Sequence, residues 1–144
     1  MTQITLSEIT LYPVKSLAGI TVKSWPVTKT GLLYDRKWML IDTDQQFLSQ
    51  RKLPKMALIQ TALTDKNLIL SAVGMEDLLI PLAPTEGAII NSTIWHDQFD
   101  ALNASPEADQ WLSHFLNLEC RLVYQGDNMI RPVDPNYSLP TDQV

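Results

Sequence analysis

Trp38-Met39-Leu40-Ile41-Asp42-Thr43-Asp44-Gln45-Gln46-Phe47-Leu48 is the stretch whose reading decides the fold. Four consecutive apolar residues, Trp38 to Ile41, make a short buried strand. Asp42-Thr43-Asp44-Gln45 has the chemistry of a turn, which explains the two acids better than general acid/base work does. Phe47-Leu48 then returns as a second short strand. A strand, a turn and a strand within eleven residues set the scale of the whole chain.

Outward from this segment the dominant period is two. Ile4 and Leu6, then Ile9 and Leu11, alternate with polar residues, and the phase slip at Ser7-Glu8 predicts a bulge. Ile20-Thr21-Val22-Lys23 runs on into Trp25-Pro26-Val27, where Pro26 restricts pairing to an edge or a bulge. Met56 to Leu63 and Leu68-Ile69-Leu70 flank Asp65-Lys66-Asn67, a hairpin signature. Leu78-Leu79-Ile80, Ala88-Ile89-Ile90, Thr93-Ile94-Trp95 and Phe99 to Leu102 add further short strands, with His96-Asp97-Gln98 as the turn between the last two. Many short strands separated by turns predict a sandwich or barrel.

One helix interrupts them. Ser105 is the N-cap, Pro106 suits the first helical position, and Glu107 and Asp109 favour the positive helix start. Ala108, Trp111, Leu112, Phe115 and Leu116 then fall on one buried face, so this aromatic stripe is core packing rather than a cofactor box. Asn117 stops the helix, and Arg121-Leu122-Val123-Tyr124 is a closing strand. The expected fold is mainly β, a barrel-like domain with one amphipathic helix near its C-terminal end. Residues 1–126 form that domain. Residues 127–144 hold Pro132, Pro135 and Pro140 with no sustained period, and are expected to be a linker towards a further domain.

The 144 residues suffice for one domain with a core, and 45% hydrophobic and 19% charged content excludes a disordered chain. No apolar run reaches the roughly 18 residues of a membrane helix. Met1-Thr2-Gln3-Ile4-Thr5 lacks a signal peptide's basic start, and a single cysteine, Cys120, excludes an internal disulfide. A cytoplasmic location without membrane contact is expected.

The net charge of −5 is unevenly spread. Residues 1–55 carry eight of the eleven basic side chains and four of the sixteen acids, a local +4 against −9 for the remainder. A basic segment in an acidic chain points to a local anion site rather than a broad nucleic-acid surface. Within it, Tyr12-Pro13-Val14-Lys15-Ser16 opens into the glycine-bearing Leu17-Ala18-Gly19, Gly31-Leu32-Leu33-Tyr34-Asp35-Arg36-Lys37-Trp38 precedes the buried strand, and Ser49-Gln50-Arg51 leads into Lys52-Leu53-Pro54. Each places a cation or hydroxyl at a strand end, and three such loops meeting at one end of a barrel would hold a phosphate through Lys15, Ser16, Arg36 and Arg51. Lys23, Lys29, Lys37 and Lys52 read as solvated surface lysines. Asp35 either pairs near Arg36 or caps a turn.

Other chemistry is poorly supported. His96 and His114 lie in different elements, Ser16 has no base beside it, and Cys120 reads as a small buried hydrophobe. No catalytic or metal-ligating residue is assigned.

Pro13-Val14-Lys15-Ser16, Gly31…Asp35-Arg36-x-Trp38, Ser49-Gln50-Arg51 and Ile94-Trp95 together resemble the N-terminal β-barrel domain of MOSC-domain proteins, from about Ile4 to Arg131. The set includes YcbX-type proteins and the mitochondrial amidoxime-reducing component. The resemblance implies a molybdenum cofactor whose pterin phosphate is held by Lys15, Ser16 and Arg36, with Arg51 in a supporting or substrate-side role. It implies a metal-binding cysteine in a MOSC domain beyond this chain, a place not matched by Cys120. It also implies an oxidoreductase acting on N-hydroxylated small molecules, or a sulfur carrier, with a flavin or iron–sulfur electron donor. Such a chain alone would be inactive. Two rivals remain open: a module binding another phosphorylated ligand such as pyridoxal phosphate, and a single-stranded nucleic-acid barrel, which the acidic charge disfavours.

Overall fold

A computed structural model describes residues 2–84 and 86–126. Its frame is a four-stranded antiparallel sheet in the order β5 (Trp38–Ile41), β11 (Arg121–Tyr124), β10 (Asp97–Asn103), β9 (Ile89–Ile94). The sheet curls, and residues 46–47 join its two edges. Gln46 bridges Thr93 of β9, Phe47 bridges Ile41 of β5, and the Phe47 N–H donates to the Thr93 carbonyl at 3.0 Å. The Asp42–Gln45 turn is where the sequence predicts it: Asp42 Oδ1 accepts the N–H groups of Asp44 and Gln46 at 2.8 and 3.0 Å, an Asx turn.

Alternation along these strands separates two apolar clusters. Trp38, Leu40 and Leu122 face the main core. That core is shared with α1 (Pro106–Leu116) and with the meander β6 (Gln60–Leu63), β7 (Asn67–Ser71), β8 (Leu78–Pro81). Met39, Ile41, Ile90, Ile94, Phe99, Ala101 and Val123 form a second cluster, with Phe47 packed against it. A strand read as continuously apolar is therefore buried on both sides, and β5 is buried at all four positions.

Two small two-stranded sheets complete the frame. β1 (Ile9–Leu11) pairs with β2 (Ile20–Val22), and β3 (Val27–Thr28) with β4 (Gly31–Leu32). α1 has the expected caps: Ser105 Oγ accepts the Ala108 N–H at 3.2 Å, and Asn117 ends the helix in the left-handed region at φ 52°. Among the described residues no helix is long and apolar enough to cross a membrane.

Several boundaries differ from the sequence reading. Residues 2–8 form no strand, and Ile4 and Leu6 are 95% and 79% exposed, because periodicity alone supplies no pairing partner. The run from Ile20 breaks at residues 23–26 beside Pro26. Pro54–Leu58 is a 3-10 turn with Pro54 at its start, so the strand expected from Met56 begins only at Gln60. Ile89–Ile94 is one strand, not two, and the β9–β10 turn is Trp95-His96, with Asp97 and Gln98 already in β10. The last strand keeps its expected bounds: β11 spans Arg121–Tyr124 and lies inside the sheet, between β5 and β10. The proposed linker, residues 127–144, lies outside the described residues.

Candidate functional site

The chain from Tyr12 to Lys15 is sewn to the chain from Asp35 to Trp38. The Arg36 N–H donates to the Tyr12 carbonyl at 2.7 Å, the Trp38 N–H to the Pro13 carbonyl at 3.1 Å, and the Lys15 N–H to the Trp38 carbonyl at 2.8 Å. Val14, buried among the core residues, anchors the segment by a parallel bridge to Trp38. Asp35 accepts the Tyr12 N–H through Oδ1 at 2.7 Å and pairs with the Arg36 guanidinium through Oδ2. The pairing reading of Asp35 therefore holds, and its second bond links two loops rather than capping a turn.

Lys15 and Arg36 line one half-enclosed cavity of about 380 Å³. Thr30, Asp35, Lys37 and Gln125 supply its other polar wall, and its apolar wall comes from Trp38 and the second cluster, including Met39, Ile94 and Phe99. Lys37 corrects an expectation: it is half-buried, lines the cavity and donates to Thr30 Oγ1 at 3.2 Å, rather than lying on a solvated face. The period-two signal that could have found it is its place two residues before the inward-facing Met39.

Ser16 and Arg51 are placed differently. Ser16 follows Lys15 directly, half-buried at φ 67°, and its carbonyl accepts Gln50 Nε2–H at 2.8 Å. This bond ties the first predicted loop to the third, but Ser16 is not among the residues lining the cavity. Arg51 also stands outside it, its guanidinium 5.8 Å from the Trp95 ring centroid. Trp95 packs on Phe47 at 5.1 Å, and Lys15 Nζ lies 4.8 Å from the Phe47 centroid. The two cations are thus separated by two aromatic rings, each cation against a ring face. Trp95 is 60% exposed. The sequence reading quoted Trp95 as a motif but gave Phe47 and Tyr12 no role. Tyr12 holds the Arg36 guanidinium 5.0 Å from its own ring centroid.

The backbone here is unusual. Ser16, Tyr34, Arg36 and Trp95 have φ between 51° and 67° without being glycine. Conformations of this kind cost on the order of 1–3 kcal/mol each and persist where surrounding structure fixes them. Ser16 adjoins Lys15, Tyr34 and Arg36 lie in the second loop, and Trp95 lies in the β9–β10 turn.

Cys120 lies elsewhere, buried beside Ser113, whose Oγ–H donates to its carbonyl at 3.1 Å. Burial pushes its thiol up, away from the thiolate that ligates a metal. Among the described residues no group of three or more His, Cys, Asp or Glu could hold a metal ion. The site is suited to binding an anion beside an apolar surface.

Comparison with known proteins follows the same outline. A family model described as "MOSC N-terminal beta barrel domain" matches residues 3–119. The molybdenum cofactor sulfurase of Danio rerio is 35% identical over 133 residues, covering 88% of this chain and 16% of that protein. The human molybdenum cofactor sulfurase is 34% identical over 130 residues, covering 88% and 15%. Mitochondrial amidoxime-reducing component 1 of Mus musculus is 31% identical over 131 residues, covering 87% and 38%. The chain thus spans less than a sixth to little more than a third of the length of these relatives. A solution structure of a Bordetella bronchiseptica protein, 20% identical, superposes with a TM-score of 0.59 over 78% of this chain and 95% of that one, which shows the same fold.

Proposed function

This chain belongs to the MOSC N-terminal beta barrel domain family, and from that premise we propose that it builds one wall of a molybdenum-cofactor site. Lys15 supplies a point charge to the pterin phosphate and Arg36 a planar fork of donors, and Ser16, beside Lys15 but outside the cavity lining, adds a short hydroxyl donor. Arg51 supports the site from beyond Trp95. The observation that carries this reading is the convergence of Lys15 and Arg36, twenty-one positions apart, on one cavity.

The donor set fits the group. A phosphate wants several cations on a partly dry surface, and Asp35 and the Tyr12 ring hold Arg36 in place before any ligand arrives. When bound, the cofactor supplies a redox-active molybdenum centre, whose protein ligand comes from a MOSC domain. The residues of this chain bind and orient the phosphate, while the apolar wall keeps water from one side of it.

At the level of the whole protein, the reading extends to reduction of N-hydroxylated compounds with electrons from a flavin or iron–sulfur partner, or to sulfur transfer. The name of the amidoxime-reducing relative supports the first and that of the sulfurases the second.

Backbone amide shifts of the chain, recorded while titrating a phosphorylated pterin, test the anchor. Shifts clustered at Lys15, Ser16 and Arg36, and lost in Arg36→Ala, are expected. A folded wild type without shifts at these positions overturns the assignment.

A further inference from the structure

The cavity has a polar wall and an apolar one. Lys15, Arg36 and Lys37 stand along its polar wall with Asp35, the ion-pair partner of Arg36, and Met39, Ile94, Phe99, Ala101 and Val123 along the other. Those five belong to the second apolar cluster, inside the curl of the four-stranded sheet and apart from the main core. A volume of about 380 Å³ falls in the range of small-ligand sites. Such sites are mostly apolar with a few converging polar groups, and this one has that division of labour.

We propose that the cavity takes an amphiphilic anion, with a phosphate or carboxylate head against Lys15, Arg36 and Lys37 and a short apolar body against Met39, Ile94, Phe99 and Val123. The proposal rests on the anion anchor described above and adds a second determinant, the apolar body. The charges select the head. The inner face of the sheet selects the tail, because apolar area removed from water is stabilising in proportion to its extent.

The test is a chain-length series measured by calorimetry and amide shifts: inorganic phosphate, then methyl, butyl and hexyl phosphate, with butanoate and hexanoate as the carboxylate arm. Affinity should rise about three- to fourfold per methylene until the inner face is covered, and then level off. Ala101→Val, which narrows the apolar end on a strand, should weaken hexyl phosphate about tenfold more than it weakens inorganic phosphate. Val123→Leu serves in its place if the first variant does not fold. Equal affinity for inorganic and hexyl phosphate overturns the apolar determinant while leaving the anchor standing. Failure of every phosphate and carboxylate overturns both. A response confined to the phosphate esters assigns the head as phosphate, and one shared by the carboxylates assigns it as any small anion.

Discussion

Asp35 takes the backbone N–H of Tyr12 at 2.7 Å, joining two loops that lie twenty-three positions apart in the chain. Its other oxygen pairs with Arg36, whose guanidinium lies against the ring of that same Tyr12. One carboxylate therefore fixes both the path of the backbone and the direction of the cation. Replacing Asp35 by Ala leaves a half-buried N–H without its partner and should lower stability by about 1–3 kcal/mol. Asp35→Asn keeps an acceptor for Tyr12 but loses the ion pair, so it should cost less. Denaturant unfolding of the two variants checks the order, and equal losses would contradict the clamp.

Arg36 itself is held at φ 51°. A glycine there is free of the left-handed penalty that alanine retains, so Arg36→Gly should be more stable than Arg36→Ala by about 1 kcal/mol. Both should weaken phosphate binding alike, since both remove the guanidinium. Thermal melts and a phosphate titration of the pair separate backbone strain from charge. An alanine variant at least as stable as the glycine one would rule out the strain.

Gly19 connects a loop glycine to the site. A Cβ at this position would sit 2.7 Å from Tyr12 Cε1 and 2.7 Å from Thr10 Cγ2, so the ring must move. Gly19→Ala should cost about 1–3 kcal/mol and displace the surface on which Arg36 rests. Ring resonances of Tyr12 and side-chain resonances of Arg36 should shift together in that variant. Unchanged Arg36 resonances would show that the ring does not position it.

Asp109 offers a test of pH dependence away from the site. Its two oxygens accept the Leu122 N–H at 2.8 Å and Asn103 Nδ2–H at 2.9 Å, yet burial, the dominant cause, raises its carboxyl above the ordinary value. The folded state then holds this proton to higher pH than the unfolded chain does. Stability should therefore fall as pH rises from the ordinary aspartate range through the raised value. Asp109→Ala should remove that slope and still lower stability at neutral pH by about 1–3 kcal/mol, because the Leu122 N–H loses its acceptor. Unfolding curves from pH 3 to 7 for both proteins decide it; a slope unchanged by the substitution would assign it to another group.

The strands and the helix were legible in the sequence wherever their signal is local. Ser105-Pro106 with the apolar spacing that follows, the Asp42–Gln45 turn, and the run Trp38–Ile41 all depend on neighbours within a few residues. They folded as read. Residues 2–8 and Met56–Leu58 carried the same apolar period but not the outcome, since a strand also needs a partner and Pro54 favours a helical start.

The sequence by itself determined a mainly β domain with one capped helix, a basic first third, and the loops that end in Lys15 and Arg36. Only the tertiary structure decided that residues 46–47 join the edges of the sheet, that Lys15 and Arg36 line one cavity, and that Arg51 lies beyond Phe47 and Trp95 rather than in it. The reason is physical. Side-chain period and capping act over a few residues, whereas a cavity forms where segments distant in sequence pair in register, and that register is set by burial of the whole sheet.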